Sequence, residues 1–292
     1  MIVGKHLLVV FFVLAVLAGC SKGTQTATST ESAAPAASAS AVAEVSASPS
    51  TGSIQPVNYD DLKGIFGEKE MTQLAALGVF GDANGHFSPA KPVTRREFVR
   101  WLFKANNSLW ADDTNKLIHP AQGTESAFSD IKTSDPDFQY IQGMQDSGVS
   151  VGFPDKSFRP EQPITREQAL AIKAALDRGG VDKDLVITKK DPTYGYFILP
   201  NWKDKHDIAP EFVGAIATGI YHDEGAQNEA SSHLENVART FGAIAMLKPR
   251  AVLTRGQAAI MLWKIGPHSE GLAEARTAAQ ALAPGGGVSP SP

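Results

Sequence analysis

Three stretches of this chain carry apolar residues at helical spacing behind the same polar signal. Phe98, Trp101, Leu102 and Ala105 form the first stripe, Ala169, Ile172 and Leu176 the second, and Ala258, Met261, Leu262 and Ile265 the third. Steps of three and four residues put each set on one face of a helix and predict a buried stripe. Lys173 interrupts the second. Ahead of the stripes stand Thr94-Arg95, Thr165-Arg166 and Thr254-Arg255, each with a Pro five residues before the Thr. Glu97, Gln168 and Gln257 follow the Thr by three. That spacing predicts a capping box, in which the Thr hydroxyl accepts a first-turn N–H and the Glu or Gln reaches back to the cap.

A second set of stripes precedes the first. Met71, Leu74, Ala75 and Gly78 open one unit, Ile141, Met144 and Gly148 the next, and Phe212, Ala215, Ile216 and Gly219 the third. The Gly that follows each opening helix is expected at a left-handed C-cap. Phe87 and Phe158, each one residue before a Ser-Pro or Arg-Pro pair, are expected to plug the space between the two helices. Leu247 takes that place in the third unit, where an insertion from about 222 to 240 replaces the loop. The expected fold is mainly α: three helix-loop-helix repeats over 57–110, 127–178 and 201–266, packed as a pseudo-threefold bundle, since none has enough apolar surface to stand alone. Leu185 to Thr188, between the second and third repeats, has the β-branched content of a short strand.

The ends of the chain read differently. Lys5 and His6 precede an apolar run from Leu7 to Ala18. The run is short of the about 20 residues that span a bilayer and fits a secretory signal. It ends Leu17-Ala18-Gly19-Cys20 and resembles the lipobox of bacterial lipoproteins. That resemblance implies cleavage after residue 19 and lipid on Cys20, the one Cys in the chain. An ordinary secretory signal with an incidental Cys is the other reading. Residues 20–56 are mostly Ala, Ser, Thr and Pro, a flexible tether. Residues 267–292 are Ala-rich and then Gly, Ser and Pro, and are expected to form a disordered tail.

Composition narrows the chemistry. A net charge of −4 and the lack of a basic tract speak against nucleic acid. A lone Cys excludes an intrachain disulfide. No nucleophile with a base, metal cluster or cofactor motif stands out, so neither an enzyme nor a cofactor is expected. His222, Asp223, His233 and Glu235 match no metal spacing, and Asp82-Ala83-Asn84-Gly85 lacks the rest of a calcium loop. The three motif arginines stand out instead. A cation in a first helical turn opposes the helix dipole. Three at one phase point to an anion held by guanidinium and helix N–H groups together, or else to pairing with neighbouring carboxylates.

The units resemble the S-layer homology family. The resemblance rests on an aromatic-x-Asp start (Phe128-Ser129-Asp130), a Gly-x-x-Asp loop leading to Phe158 and Pro160, and the closing Ile164-Thr165-Arg166-Glu167-Gln168. It implies non-covalent binding of an acidic, often pyruvylated, wall polymer linked to peptidoglycan, in grooves between neighbouring repeats. Carried over by position, the binding residues would be Arg95, Arg166 and Arg255, the loop residues Asp82, Gly85 and Asp155, and the aromatic starts Phe128 and Trp202. The family's Glu is kept at Glu97 and replaced at Gln168 and Gln257. With lipid on Cys20 the chain would tie a bacterial membrane to the wall, outside the cytoplasm. The alternative is an envelope scaffold whose repeats have lost glycan binding.

Overall fold

The computed structural model describes residues 57–81, 84–149, 152–177, 192–222, 232–266, 269 and 271–282. Residues 1–56, Asp82, the expected strand at 185–188 and the middle of the insertion lie outside them. The described chain is mainly helical. The first unit holds α1 (Glu68–Ala76) and α2 (Arg95–Leu109), the second α3 (Phe138–Asp146) and α4 (Arg166–Asp177). Then come α5 (Pro192–Ile198), α6 (Pro210–His222), α7 (Ser232–Phe241), α8 (Arg255–Leu262) and α9 (Leu272–Leu282). The one sheet among the described residues is a two-residue parallel pair, Asn58–Tyr59 with Asn84–Gly85.

The capped helices start where the Thr-Arg pairs do. Thr94 and Thr254 each close a capping box, with Glu97 and Gln257 as the partners. Gly78 and Gly148 adopt φ of 73° and 85°. The N–H groups of Val79 and Val149, one residue on, donate back to Leu74 and Met144. This is the left-handed cap that only Gly adopts at low cost. Gly219 does otherwise: it lies inside α6 and faces Ala174, where a Cβ would come within 2.6 Å of the Ala174 Cβ. In α6, Ile216 and Gly219 are buried as expected, while Phe212 and Ala215 are half-buried and Val213 and Ala217 are buried in their place.

The segments just before the helices close a ring. Val93 N–H donates to Leu253 O at 3.0 Å, Leu253 N–H to Ile164 O at 2.9 Å, and Ile164 N–H to Val93 O at 3.1 Å. The side chains of Val93, Ile164 and Leu253 are fully buried at its centre. Each helix then leans on the next unit's chain. Arg95 and Arg96 N–H donate to Gln162 and Pro160, Arg166 and Glu167 to Ala251 and Pro249, and Arg255 and Gly256 to Lys91 and Pro89.

Within each unit an Asp fixes the loop. Asp61 accepts the N–H of Phe87 and Ser88, Asp130 those of Phe158 and Arg159, and Asp204 those of Leu247 and Lys248. Ser88, Arg159 and Lys248 all sit at φ between 54° and 60°, a strained setting for a side-chain-bearing residue. The two N–H bonds to one carboxylate hold that strain. Phe87, Phe158 and Leu247 enter the core, at 1 %, 0 % and 0 % exposed. The third unit keeps this clamp although its loop sequence has diverged.

Lys173, which breaks the second stripe, is buried and pairs with Asp177. The C-terminal segment differs from the expected disordered tail over Leu272–Leu282, which is helical. Ala273 is fully buried, Arg276 donates to Leu109 O at the end of α2, and Lys69 pairs with Glu274. Tertiary contacts supply what an isolated Ala-rich helix of this length lacks.

Asp204→Ala removes both acceptors from the Leu247 and Lys248 N–H groups. It is expected to lower unfolding free energy by about 3 kcal/mol, read by urea denaturation. A change near zero would mean that the third unit does not depend on the clamp.

Candidate functional site

The motif arginines occupy the first position of α2, α4 and α8, so each side chain leaves its helix toward the next unit in the ring. Their helix N–H groups are not open to a ligand. The first two N–H groups of each helix go to the next unit's carbonyls, and the third goes to the Thr hydroxyl. The expectation that an anion meets free helix N–H groups is therefore corrected. What remains to meet an anion is the guanidinium.

The three guanidinium groups sit alike and are balanced differently. Arg95 is 4 % exposed, 4.5 Å from the Phe153 ring centroid, with Nη1 to Gln168 Oε1 at 3.5 Å. Burial, reinforced by Arg159, pushes its pKa down to about 10. Arg159 covers Phe153 as well, at 4.0 Å. Arg166 is half-buried, 4.4 Å from the Phe241 ring, and donates from Nη1 to Leu247 O at 2.8 Å. Burial lowers its pKa too. Arg255 lies 4.9 Å from Phe87 and 4.7 Å from Trp101, donates from Nε to Phe87 O, and forms an ion pair through Nη1 with Glu97.

The other expected site residues are placed unequally. Asp155 is exposed, accepts from Ser157 and Arg159, and is held at about 2 by those bonds, the Ser157 hydroxyl first. Gly85 is exposed and accepts the Asp60 N–H. Asp82 lies outside the described residues. Phe128 and Trp202 are each 6 % exposed. Phe128 packs on Phe158 at 5.5 Å, and Gly152 approaches it so closely that a Cβ would come within 2.2 Å of the ring. These two rings are committed to the core and present no free face for stacking on a sugar. Phe153, Phe241, and Phe87 with Trp101 are the rings that lie against the arginines, and sequence spacing gave no sign of Phe241, which ends the inserted α7. Asp60, Asp61 and His86 bring ligand atoms within 4.8 Å of one another. Both Asp61 oxygens accept backbone N–H groups of the loop clamp, and His86 pairs with Asp60.

The residue after each motif Arg makes the joint to the next unit. Arg96 grips Asp135 through two nitrogens at 2.6 and 3.0 Å and also reaches Asp137 and Glu161. Glu167 is buried, accepts the Ala209 N–H, and has its pKa raised by burial. Gly256 lies against Pro89, where a Cβ would meet the carbonyl oxygen at 3.2 Å.

The family model for the S-layer homology domain matches residues 58–99 and 127–170. The first two units are S-layer homology domains. Over 141 residues the chain is 30 % identical to a cellulosome-anchoring protein of Acetivibrio thermocellus, covering 44 % of this chain and 28 % of that protein. Over 106 residues it is 29 % identical to a surface layer protein of Brevibacillus choshinensis, covering 36 % and 9 %. Over 234 residues it is 23 % identical to exoglucanase XynX of Acetivibrio thermocellus, covering 78 % and 18 %. The chain thus spans less than a third of each of these relatives. The S-layer homology match ends before α5, and the third unit lies beyond it.

Arg96 hydrogen bonds hold the Asp135 carboxyl below its usual range. A carboxylate with a depressed folded pKa stabilises the fold above its unfolded value and loses that contribution as pH falls through the folded value. Stability of the wild type should therefore drop more steeply below about pH 4 than that of Asp135→Asn, measured by urea unfolding across pH. Parallel curves would show that the Arg96 joint carries no such linkage.

Proposed function

We propose that this chain binds an acidic cell-wall polymer, often pyruvylated and linked to peptidoglycan, through the joints between its units. The observation that carries this reading is the position of the motif arginines: each leaves a capped helix and lies against the loop of the following unit. The third unit is read as a third repeat of the same kind in a pseudo-threefold bundle. Its support is the shared ring bond, the Asp204 clamp and the capping box at Thr254. The match to a cellulosome-anchoring protein and to a surface layer protein agrees with attachment at the cell surface. The exoglucanase match spans 18 % of that protein and supports a shared binding module rather than a shared reaction.

The second half of the proposal concerns the other end. Lipid on Cys20 would hold the chain at a bacterial membrane, outside the cytoplasm, with residues 24–55 as the tether. Two or more acyl chains anchor stably where one does not. The protein would then bridge membrane and wall. A scaffold that has lost glycan binding is the competing reading, favoured by the buried aromatic starts.

Isolated wall sacculi separate the two. Wild-type chain is expected to sediment with sacculi and to stay in solution once the non-peptidoglycan polymer is removed. Arg166→Ala should lower retention about tenfold with helix content unchanged, and salt should loosen binding. Equal sedimentation with stripped and intact sacculi would favour the scaffold. For the membrane end, Cys20→Ser should abolish palmitate labelling and release the chain from the membrane fraction. A labelled Cys20→Ser chain would remove the lipid anchor.

A further inference from the structure

On leaving its second helix, each unit's chain lies over the first helix of the next unit. After α2, Ala121 N–H donates to Gln139 O of α3 at 3.0 Å, and Gly143 faces His119 O, where a Cβ would come within 2.5 Å. After α4, α5 lies on α6, with Gly195 against Val213. After α8, α9 lies on α1. There Ala273 is fully buried, Lys69 pairs with Glu274 at 2.8 Å, and Trp263 Nε1 donates to Gln73 Oε1 at 2.7 Å. The C-terminal helix is thus the third copy of a covering segment and not an appendage.

The three covers are not held alike. The first two run on into the unit that they cover, so the chain itself fixes both their ends. Unit one precedes unit three in the chain, so no connecting segment crosses the third-to-first joint. Its backbone bonds repeat those of the other joints, with Arg255 and Gly256 N–H donating to Lys91 and Pro89 O, and Arg255 pairs with Glu97. Beside the motif Arg, however, Gly256 has no side chain to bind across the joint as Arg96 and Glu167 do across theirs. α9 reaches over this joint from unit three, and Arg276 Nε donates to Leu109 O at the end of α2, at 2.7 Å.

The hold of α9 is itself modest. The Lys69 and Glu274 side chains are 54 % and 59 % exposed, and a pair that open to water contributes little. Gln280 Oε1 is buried without a donor, which costs stability. A helix of 11 residues, rich in Ala, is marginal in water by itself. An element held in this way opens at a lower free energy than the ring beneath it.

We propose that α9 is a latch. Seated on α1, it keeps the third-to-first joint shut. Released, it lets the ring part between α8 and unit one while the other two joints stay closed. The latch involves no ligand and stands independently of the wall-polymer reading.

Amide hydrogen exchange of the full chain in detergent, followed residue by residue, tests this. In the wild type the α9 amides should exchange before those of Val93, Ile164 and Leu253. Arg276→Ala removes the bond to Leu109 O, and Ala273→Glu sets a charge where the helix is buried. In both variants the N–H groups of Arg255 and Gly256, bonded across the third-to-first joint, should exchange about tenfold faster. Those of Arg95, Arg96, Arg166 and Glu167, bonded across the other two joints, should keep their rates. Arg276→Ala changes a half-buried side chain, so it keeps the test readable if Ala273→Glu does not fold. Equal acceleration at all three joints makes α9 a general contributor to stability and overturns the latch. So does an unchanged rate at Arg255 and Gly256, or wild-type α9 amides as slow as those of the ring.

Discussion

Three backbone hydrogen bonds passed around a closed circuit hold the units together. Each central segment gives one N–H and one C=O, from Val93, Ile164 and Leu253. A strand pair that short is not stable in water by itself. Closure changes that, because no segment is left with an open edge. The same circuit settles the helix starts. An α-helix begins with N–H groups that have no partner in the helix, and here the first two of each helix reach the following unit's carbonyls. In a unit taken alone those donors would turn to water, and the following unit replaces that water with carbonyls.

The circuit also decides where chemistry is available. A cation at a helix start is unfavourable when the dipole faces it bare. In this chain the exposed partial charges are already met by the next unit's carbonyls, which lets an Arg stand there. Its side chain then has one direction to go, across the joint, and aromatic rings receive it: Phe153, Phe241, and Phe87 with Trp101. Rings under a guanidinium give attraction without neutralising its charge.

Local signals were legible in the sequence because their cause is local. The capping boxes at Thr94 and Thr254, the left-handed Gly78 and Gly148, and the plugs Phe87 and Phe158 each follow from a few neighbouring residues. The capped-helix stripes did too, and the α6 stripe held at Ile216 and Gly219 but gave way from Phe212 and Ala215 to Val213 and Ala217, because that helix is apolar on several sides. Features that depend on distant partners were hidden. Nothing near Arg95 announces that its N–H will meet Gln162, and nothing in the insertion announces that Phe241 will lie under Arg166. The aromatic start Phe128 looked available because its burial is set by the approach of Gly152, 24 positions further along the chain. The Ala-rich end looked unstructured because its stability comes from Leu109, Asp112 and Lys69 rather than from itself.

Repetition creates a hazard that the joints answer. Three units with identical joints would close as readily with units of another chain as with their own, and in any order. The residue after each motif Arg prevents this. Arg96 requires the carboxylates of Asp135 and Asp137, Glu167 requires the N–H of Ala209, and Gly256 admits Pro89 at a distance that a side chain would crowd. Exchanging units would set Arg96 against a backbone N–H, or Glu167 against two aspartates, and either leaves a charge without an opposite partner. The backbone bonds are the same at every joint and confer cohesion, while the side chains beside them differ and confer order. The chain has kept the first set and diversified the second, which is why the third unit still closes the ring after its loop has been rewritten.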